Sequence, residues 1–179
     1  EQREQHQQYG GDAPDRHGRQ HAFVMLAGTA TPVQSFLLRA GAAWLAGTLP
    51  AGTCAAELTA AETAAREAGL GLWNAGDVIK NAERPGDILA RLGQFTLVEG
   101  TVASARQAGA TLYLNFGRRW TRDFAVIIPR RMIGLLVGTG IDARTLAGRK
   151  VRVRGWVEQH GGPRIALHGT GQITVLDRH

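Results

Sequence analysis

The stretch Gly117-Arg118-Arg119-Trp120-Thr121-Arg122 sets three guanidinium groups around one indole. A guanidinium is a rigid fork of donors that fits phosphate oxygens, and an indole is a flat face on which a base can stack. That interleaving is what single-stranded nucleic acid requires of a surface. A second group lies in Lys150–Glu158, where strand alternation sends Val151, Val153 and Val157 to one side and Arg152, Arg154 and Trp156 to the other. The same alternation in Thr111–Phe116 turns Leu112, Leu114 and Phe116 inward and leaves Tyr113 and Asn115 outward. The candidate nucleic-acid-binding residues are therefore Tyr113, Arg118, Arg119, Trp120, Arg122, Arg152, Arg154 and Trp156. Two other uses compete with this one. Arginines on outer strand faces also prevent edge-to-edge pairing, and Trp120 and Trp156 could instead pack against the first half of the chain.

Charge distribution favours a polyanion. The 179 residues carry a formal net charge of +6. Residues 1–94 hold 8 Lys and Arg against 10 Asp and Glu, whereas residues 95–179 hold 13 against 5. All the net basicity thus lies in the second half, where it would attract phosphates and release their counterions.

Other chemistries find little support. The single cysteine, Cys54, excludes an intrachain disulfide and a multi-cysteine zinc site, and its alanine-rich setting reads as core filler. His17 and His21 lead into a strand with no third ligand in view, and His160 and His168 read as polar turn residues. There is no Gly-Lys-Ser/Thr phosphate loop and no Gly-x-Ser-x-Gly elbow. No apolar run approaches the roughly 18 residues of a membrane span.

The elements that must position these residues follow from local pattern. Residues 1–14 are polar and glutamine-rich and read as a flexible lead-in. Gln20–Leu26 is a strand. Thr31-Pro32-Val33-Gln34 opens a helix with a capping threonine, a first-turn proline and a capping-box glutamine, and Val33, Phe36, Leu37 and Ala40 form its apolar face. A second helix runs from about Cys54 to Ala68 on a stripe of Leu58, Ala61, Ala65 and Ala68, followed by Leu72-Trp73 as an anchor. Residues 74–94 read as a linker carrying the turn signal Pro85-Gly86-Asp87 and one short helix at Ile88–Leu92. Beyond it come strands at Phe95–Arg106, Thr111–Phe116 and Asp123–Ile128, a helical piece at Arg130–Val137, and strands at Lys150–Glu158, Arg164–Leu167 and Gln172–Leu176. Three strands, a helix and two strands is the order of an oligonucleotide-binding (OB) barrel, with Gly100 expected to supply the bulge that bends its first strand. On such a barrel the second and third strands form the usual binding face.

Three stretches carry a family resemblance. Asp15-Arg16-His17-Gly18-Arg19 and the strand after it, Val33-Gln34-Ser35-Phe36-Leu37-Leu38-Arg39-Ala40-Gly41, and Ala61–Ala65 with Gly69-Leu70-Gly71-Leu72-Trp73 resemble, in order, the last strand motif and helices of a staphylococcal-nuclease-like (thermonuclease) domain. His17 stands where that motif has tyrosine. The stretch from Glu99 to Gly117, with Val151–Trp156, is similar to the module often appended to bacterial proteins of that family.

The resemblance implies a mixed α+β, mainly β architecture. Residues 15–73 would be the C-terminal part of a nuclease domain, an incomplete OB-type barrel segment with two helices. Residues 95–177 would be a basic five-stranded OB-like barrel. It also implies metal-dependent phosphodiester hydrolysis, with calcium as the ion, Arg19 as the catalytic phosphate contact, and a secreted or periplasmic location. The carboxylates, glutamate and second arginine of that chemistry come from strands upstream of the motif, and fourteen polar residues here do not supply them. A complete metal site is accordingly not expected in this chain, and a missing upstream segment or a partner is expected to cover the first domain. Three functions remain open: a nuclease, a non-catalytic nucleic-acid-binding protein, and an envelope module that uses its basic face on a protein partner.

Overall fold

The computed structural model describes residues 5–8, 22–25, 28–29, 31–48 and 53–176. The chain divides into two compact units. One runs to Leu45 and includes Ala51–Ala75; the other comprises Ala46–Pro50 and everything from Gly76 onward.

The first unit begins with an antiparallel pair, β1 (Gln5–Gln8) and β2 (Ala22–Met25), with Gln5 opposite Met25. Residues 5–8 are therefore a strand and not part of a flexible lead-in. Two helices follow, α1 (Val33–Arg39) and α2 (Thr53–Glu67). Leu58, Ala61 and Ala65 of α2 are buried, as their spacing predicts. The expected face of α1 is wrong by a rotation: Ser35 and Leu38 are buried while Phe36 and Leu37 are exposed. On the buried side the Ser35 hydroxyl donates to Glu57 Oε1 at 3.0 Å. The capping box also fails. Pro32 occupies the cap position without a side-chain cap, and Gln34 Oε1 accepts instead from the Val24 amide of β2 at 3.4 Å.

The two glycine motifs of this unit meet. Leu72 N donates to Gly41 O at 2.8 Å, and both Gly41 and Gly71 hold positive φ, 66° and 54°. A Cβ on Gly41 would lie 2.1 Å from Leu70 O, so neither conformation nor space admits another residue there. Trp44 and Trp73 pack beside this contact in sequence, their ring centroids 6.0 Å apart. The buried Glu62 carboxylate accepts the Leu45 amide at 2.7 Å, tying the segment after α1 onto α2.

The second unit opens with β3 (Ile79–Asn81) and α3 (Pro85–Leu89), both inside the stretch expected to be a linker. That stretch is folded into the unit: β3 pairs in parallel with the next strand, and Ile88 of α3 is fully buried in the barrel core. Then come β4 (Phe95–Thr101), β5 (Ser104–Ala108), β6 (Thr111–Asn115), β7 (Ala125–Pro129), α4 (Arg130–Gly138), β8 (Lys150–His160), β9 (Gly162–Ala166) and β10 (Ile173–Val175).

Hydrogen-bonded neighbours run β4-β8-β9-β7-β6-β5, with β7 and β9 parallel and the other pairs antiparallel. Because β4 continues into β5, the ring closes. Val102 is the corner: its amide donates to Arg149 O at 3.0 Å, and the next amide, Ala103, donates to Asn115 O at 2.8 Å. One long strand thus changes partner from β8 to β6 within two residues. The bend is not at Gly100, which stays in register opposite Val151. Gly100 is needed for space, since a Cβ there would lie 2.4 Å from that of Ala82. Five strands in closed order with a helix between the third and fourth make this unit an OB-type barrel. Its core joins Leu112, Leu114, Val126, Ile128, Val153 and Ile165 to Met132 and Leu136 of α4. No helix among the described residues is long and apolar enough to cross a membrane.

Candidate functional site

Between β6 and β7 the chain makes a loop over residues 117–123, closed at its neck by Phe116 N donating to Phe124 O at 3.0 Å. Inside the loop, Asp123 Oδ2 accepts the Arg119 amide at 2.7 Å, while Arg119 O accepts the amides of Arg122 and Asp123, each at 2.8 Å. Gly117 leaves the room this needs, because a Cβ on it would sit 2.1 Å from Asp123 Oδ2. The β8–β9 turn supports the loop from outside: a Cβ on Gly162 would lie 2.4 Å from Asp123 O. Backbone therefore rests on backbone. The loop is held in shape from both sides.

On this frame Arg118, Arg119, Arg122 and Trp120 all point to solvent, and the indole is 71% exposed. Among the described residues none of the three guanidiniums has a carboxylate partner. The one acidic side chain of the loop, Asp123, is spent on a backbone amide. The result is concentrated positive charge beside an uncovered aromatic face.

Tyr113 lies on the outer side of β6, opposite Arg106 of β5 and Ile127 of β7; Ile127 in turn faces Ala166 of β9. The adjacent row runs Ser104, Asn115, Ala125, Arg164 and Glu158. Asn115 Nδ2 donates to Ser104 Oγ at 3.1 Å, and Arg164 Nε pairs with Glu158 at 3.1 Å. Arg106 extends the basic character of this face while Arg164 is paired with Glu158, and sequence reasoning missed both. Their signal was present, since both fall on the outward parity of their strands.

The β8 group does not stand as the alternation suggested. Trp156 is 61% exposed, but Arg152 keeps only 12% of its side chain accessible and Nε donates to Glu99 Oε1 at 2.6 Å. Arg154 is buried at 7% exposure. Outward parity did not mean exposure, because the outer side of β8 is covered along this half: Leu97, opposite Arg154 on β4, is completely buried. Arg152 and Arg154 are thus separated in character from the loop arginines.

Arg19, the catalytic candidate, lies outside the described residues. So do Asp15, His17 and His21. Among the described residues no three His, Cys, Asp or Glu side chains lie together as a metal ion would need. Among the described residues of the first unit, Glu57 accepts from Ser35, Glu62 accepts from the Leu45 amide and Glu67 lies 3.7 Å from Arg66.

Comparison with known proteins divides along the same line. No curated protein matches the chain. Among solved structures, asparaginyl-tRNA synthetase from Pyrococcus horikoshii overlaps at TM-score 0.38 and 18% identity, over 49% of this chain and 21% of its own. The OBody AM1L10 bound to hen egg-white lysozyme overlaps at 0.37 and 21%, over 50% and 85%. The S. pombe Stn1-ten1 complex overlaps at 0.36 and 12%, over 47% and 59%. The barrel assignment rests on its own strand order and needs none of these overlaps. Residues 1–75 match the family model of the staphylococcal nuclease homologue, and the OB-type barrel lies in the part of the chain beyond that match.

Proposed function

We propose that the barrel binds single-stranded nucleic acid, with the loop 117–123 on the phosphates and Trp120 and Tyr113 against bases. One observation carries this: an indole 71% exposed among three guanidiniums that have no carboxylate partner, on a loop fixed by Asp123. A loop already ordered loses less conformational entropy on binding than a mobile one. Base faces are open to an indole only where bases are unstacked, which favours a single strand over a duplex. Arg106, opposite Tyr113, adds positive charge beside it.

Anisotropy of a labelled oligonucleotide against salt concentration tests the reading. Each phosphate neutralised on a single strand contributes about −0.7 to the slope of log K against log salt. Arg118→Ala with Arg119→Ala should therefore flatten the slope by about 1.4 and weaken binding. Absence of binding at low salt, or a duplex preferred to a single strand, would overturn the proposal.

Phosphodiester hydrolysis is the second reading, supported by the family match over residues 1–75. In it Arg19 contacts the scissile phosphate and bound calcium supplies charge stabilisation. Calcium-dependent cleavage lost on Arg19→Ala would establish it; strand binding without cleavage in calcium would exclude it for this chain.

A further inference from the structure

The pairing register connects Tyr113 to a second aromatic position that lies beyond the usual second-and-third-strand face. Tyr113 stands opposite Ile127 and Ile127 opposite Ala166; the β8–β9 pairing ends at Val157 opposite Ile165, and one step of the same register beyond it sets Trp156 against Ala166. Trp156 is opposite Phe95 of β4. All of these have outward parity, because Leu112, Leu114, Val126, Ile128, Val157 and Ile165 between them fill the core. The row therefore runs Arg106, Tyr113, Ile127, Ala166, Trp156, Phe95 across six strand segments.

Trp156 and Phe95 meet edge to face, with ring centroids 6.1 Å apart and planes at 80°. This perpendicular contact fixes the orientation of an indole that stays 61% exposed. We infer that Trp156, braced by Phe95, is a second stacking platform for the same strand, so that the barrel carries two platforms joined by a half-buried apolar path over Ile127 and Ala166. This rests on the reading of the barrel as a single-strand binder. The occupant is a nucleic-acid strand because the row begins at the exposed Arg106, in the half of the chain that holds 13 basic against 5 acidic residues.

Spacing gives the inference its measurable content. Strands lie about 4.8 Å apart, so three steps from Tyr113 to Trp156 span about 14 Å. At about 3.4 Å per stacked nucleotide, that is roughly four nucleotides. Oligonucleotides shorter than this reach one platform; longer ones reach both.

The experiment measures binding of an oligothymidylate length series to the intact chain, as wild type, Trp156→Ala and Trp156→Phe. Trp156→Ala should lose about tenfold in affinity for long strands and leave short ones nearly unchanged, as loss of one stacked base predicts. Trp156→Phe should restore most of the loss, which a generally disturbed fold would not allow. If Trp156→Ala binds every length like wild type while Arg118→Ala with Arg119→Ala loses binding, the second platform is wrong and the single-strand reading stands. Equal loss at all lengths also overturns the two-platform arrangement. If the wild type binds no strand of any length, both fall together.

Discussion

Asp123 holds Arg119 by its backbone, accepting the amide at 2.7 Å, so a carboxylate sits at the root of a loop that carries three arginines. Its charge opposes phosphate binding while its hydrogen bond shapes the loop that performs it. The two effects separate by substitution. Asp123→Asn keeps an acceptor and removes the charge, and should tighten oligonucleotide binding about twofold at low salt. Asp123→Ala removes both and should weaken it several-fold, with faster amide exchange at Arg119 and Arg122. Identical behaviour of the two variants would mean the loop needs no such support.

Gly117 meets Asp123 from the other side. Its Cα carries no substituent where a Cβ would lie 2.1 Å from the carboxylate. Gly117→Ala should displace Asp123, cost about 1–3 kcal/mol in a denaturant melt and lower strand affinity with it.

Arg152 should matter for stability and not for binding. Its guanidinium is largely covered and paired with Glu99 across β4 and β8. Removing Glu99 leaves that charge without its carboxylate, at a cost between those of surface and buried pairs, about 2 kcal/mol for Glu99→Ala. Oligonucleotide affinity of Arg152→Ala should stay within about twofold of wild type, in contrast to the loop arginines. A flattened salt slope in this variant would return Arg152 to the interface.

Gln172 is a buried polar side chain with every bond accounted for. Oε1 accepts from His168 N at 2.6 Å and Gly169 N at 2.8 Å, and Nε2 donates to Arg154 O at 3.0 Å. Gln172→Ala leaves two amides and a carbonyl unsatisfied and should destabilise the barrel by about 2–3 kcal/mol. Gln172→Glu retains the acceptors yet buries a charge beside the Arg154 carbonyl, and should be no better. Thermal melts of both variants check this.

Strand order, the helix between the third and fourth strands, and the two helices of the first unit were legible in the sequence. Period-two alternation and turn glycines are local signals, and the barrel follows once they are read in order. The loop 117–123 was legible too, because a cluster of arginines around a tryptophan advertises itself wherever it is placed. Less visible were β3 and the place in the core of α3, whose short helix was expected at Ile88–Leu92 and runs Pro85–Leu89. Each is too short to show a period, and Ile88 alone does not announce that it completes a core.

Local pattern determined which residues form strands and which parity each side chain takes. Tertiary structure decided which outward parity stays open. Arg152, Arg154 and Trp156 alternate identically along β8, yet only the last keeps its exposure, since covering depends on what other chain lies over the strand. The same limit governs α1: Val33, Phe36, Leu37 and Ala40 share one face by spacing, yet Ser35 and Leu38 are the residues that folding buries. Alternation is a property of one chain segment; burial is a relation between segments far apart in sequence, and only folding sets it.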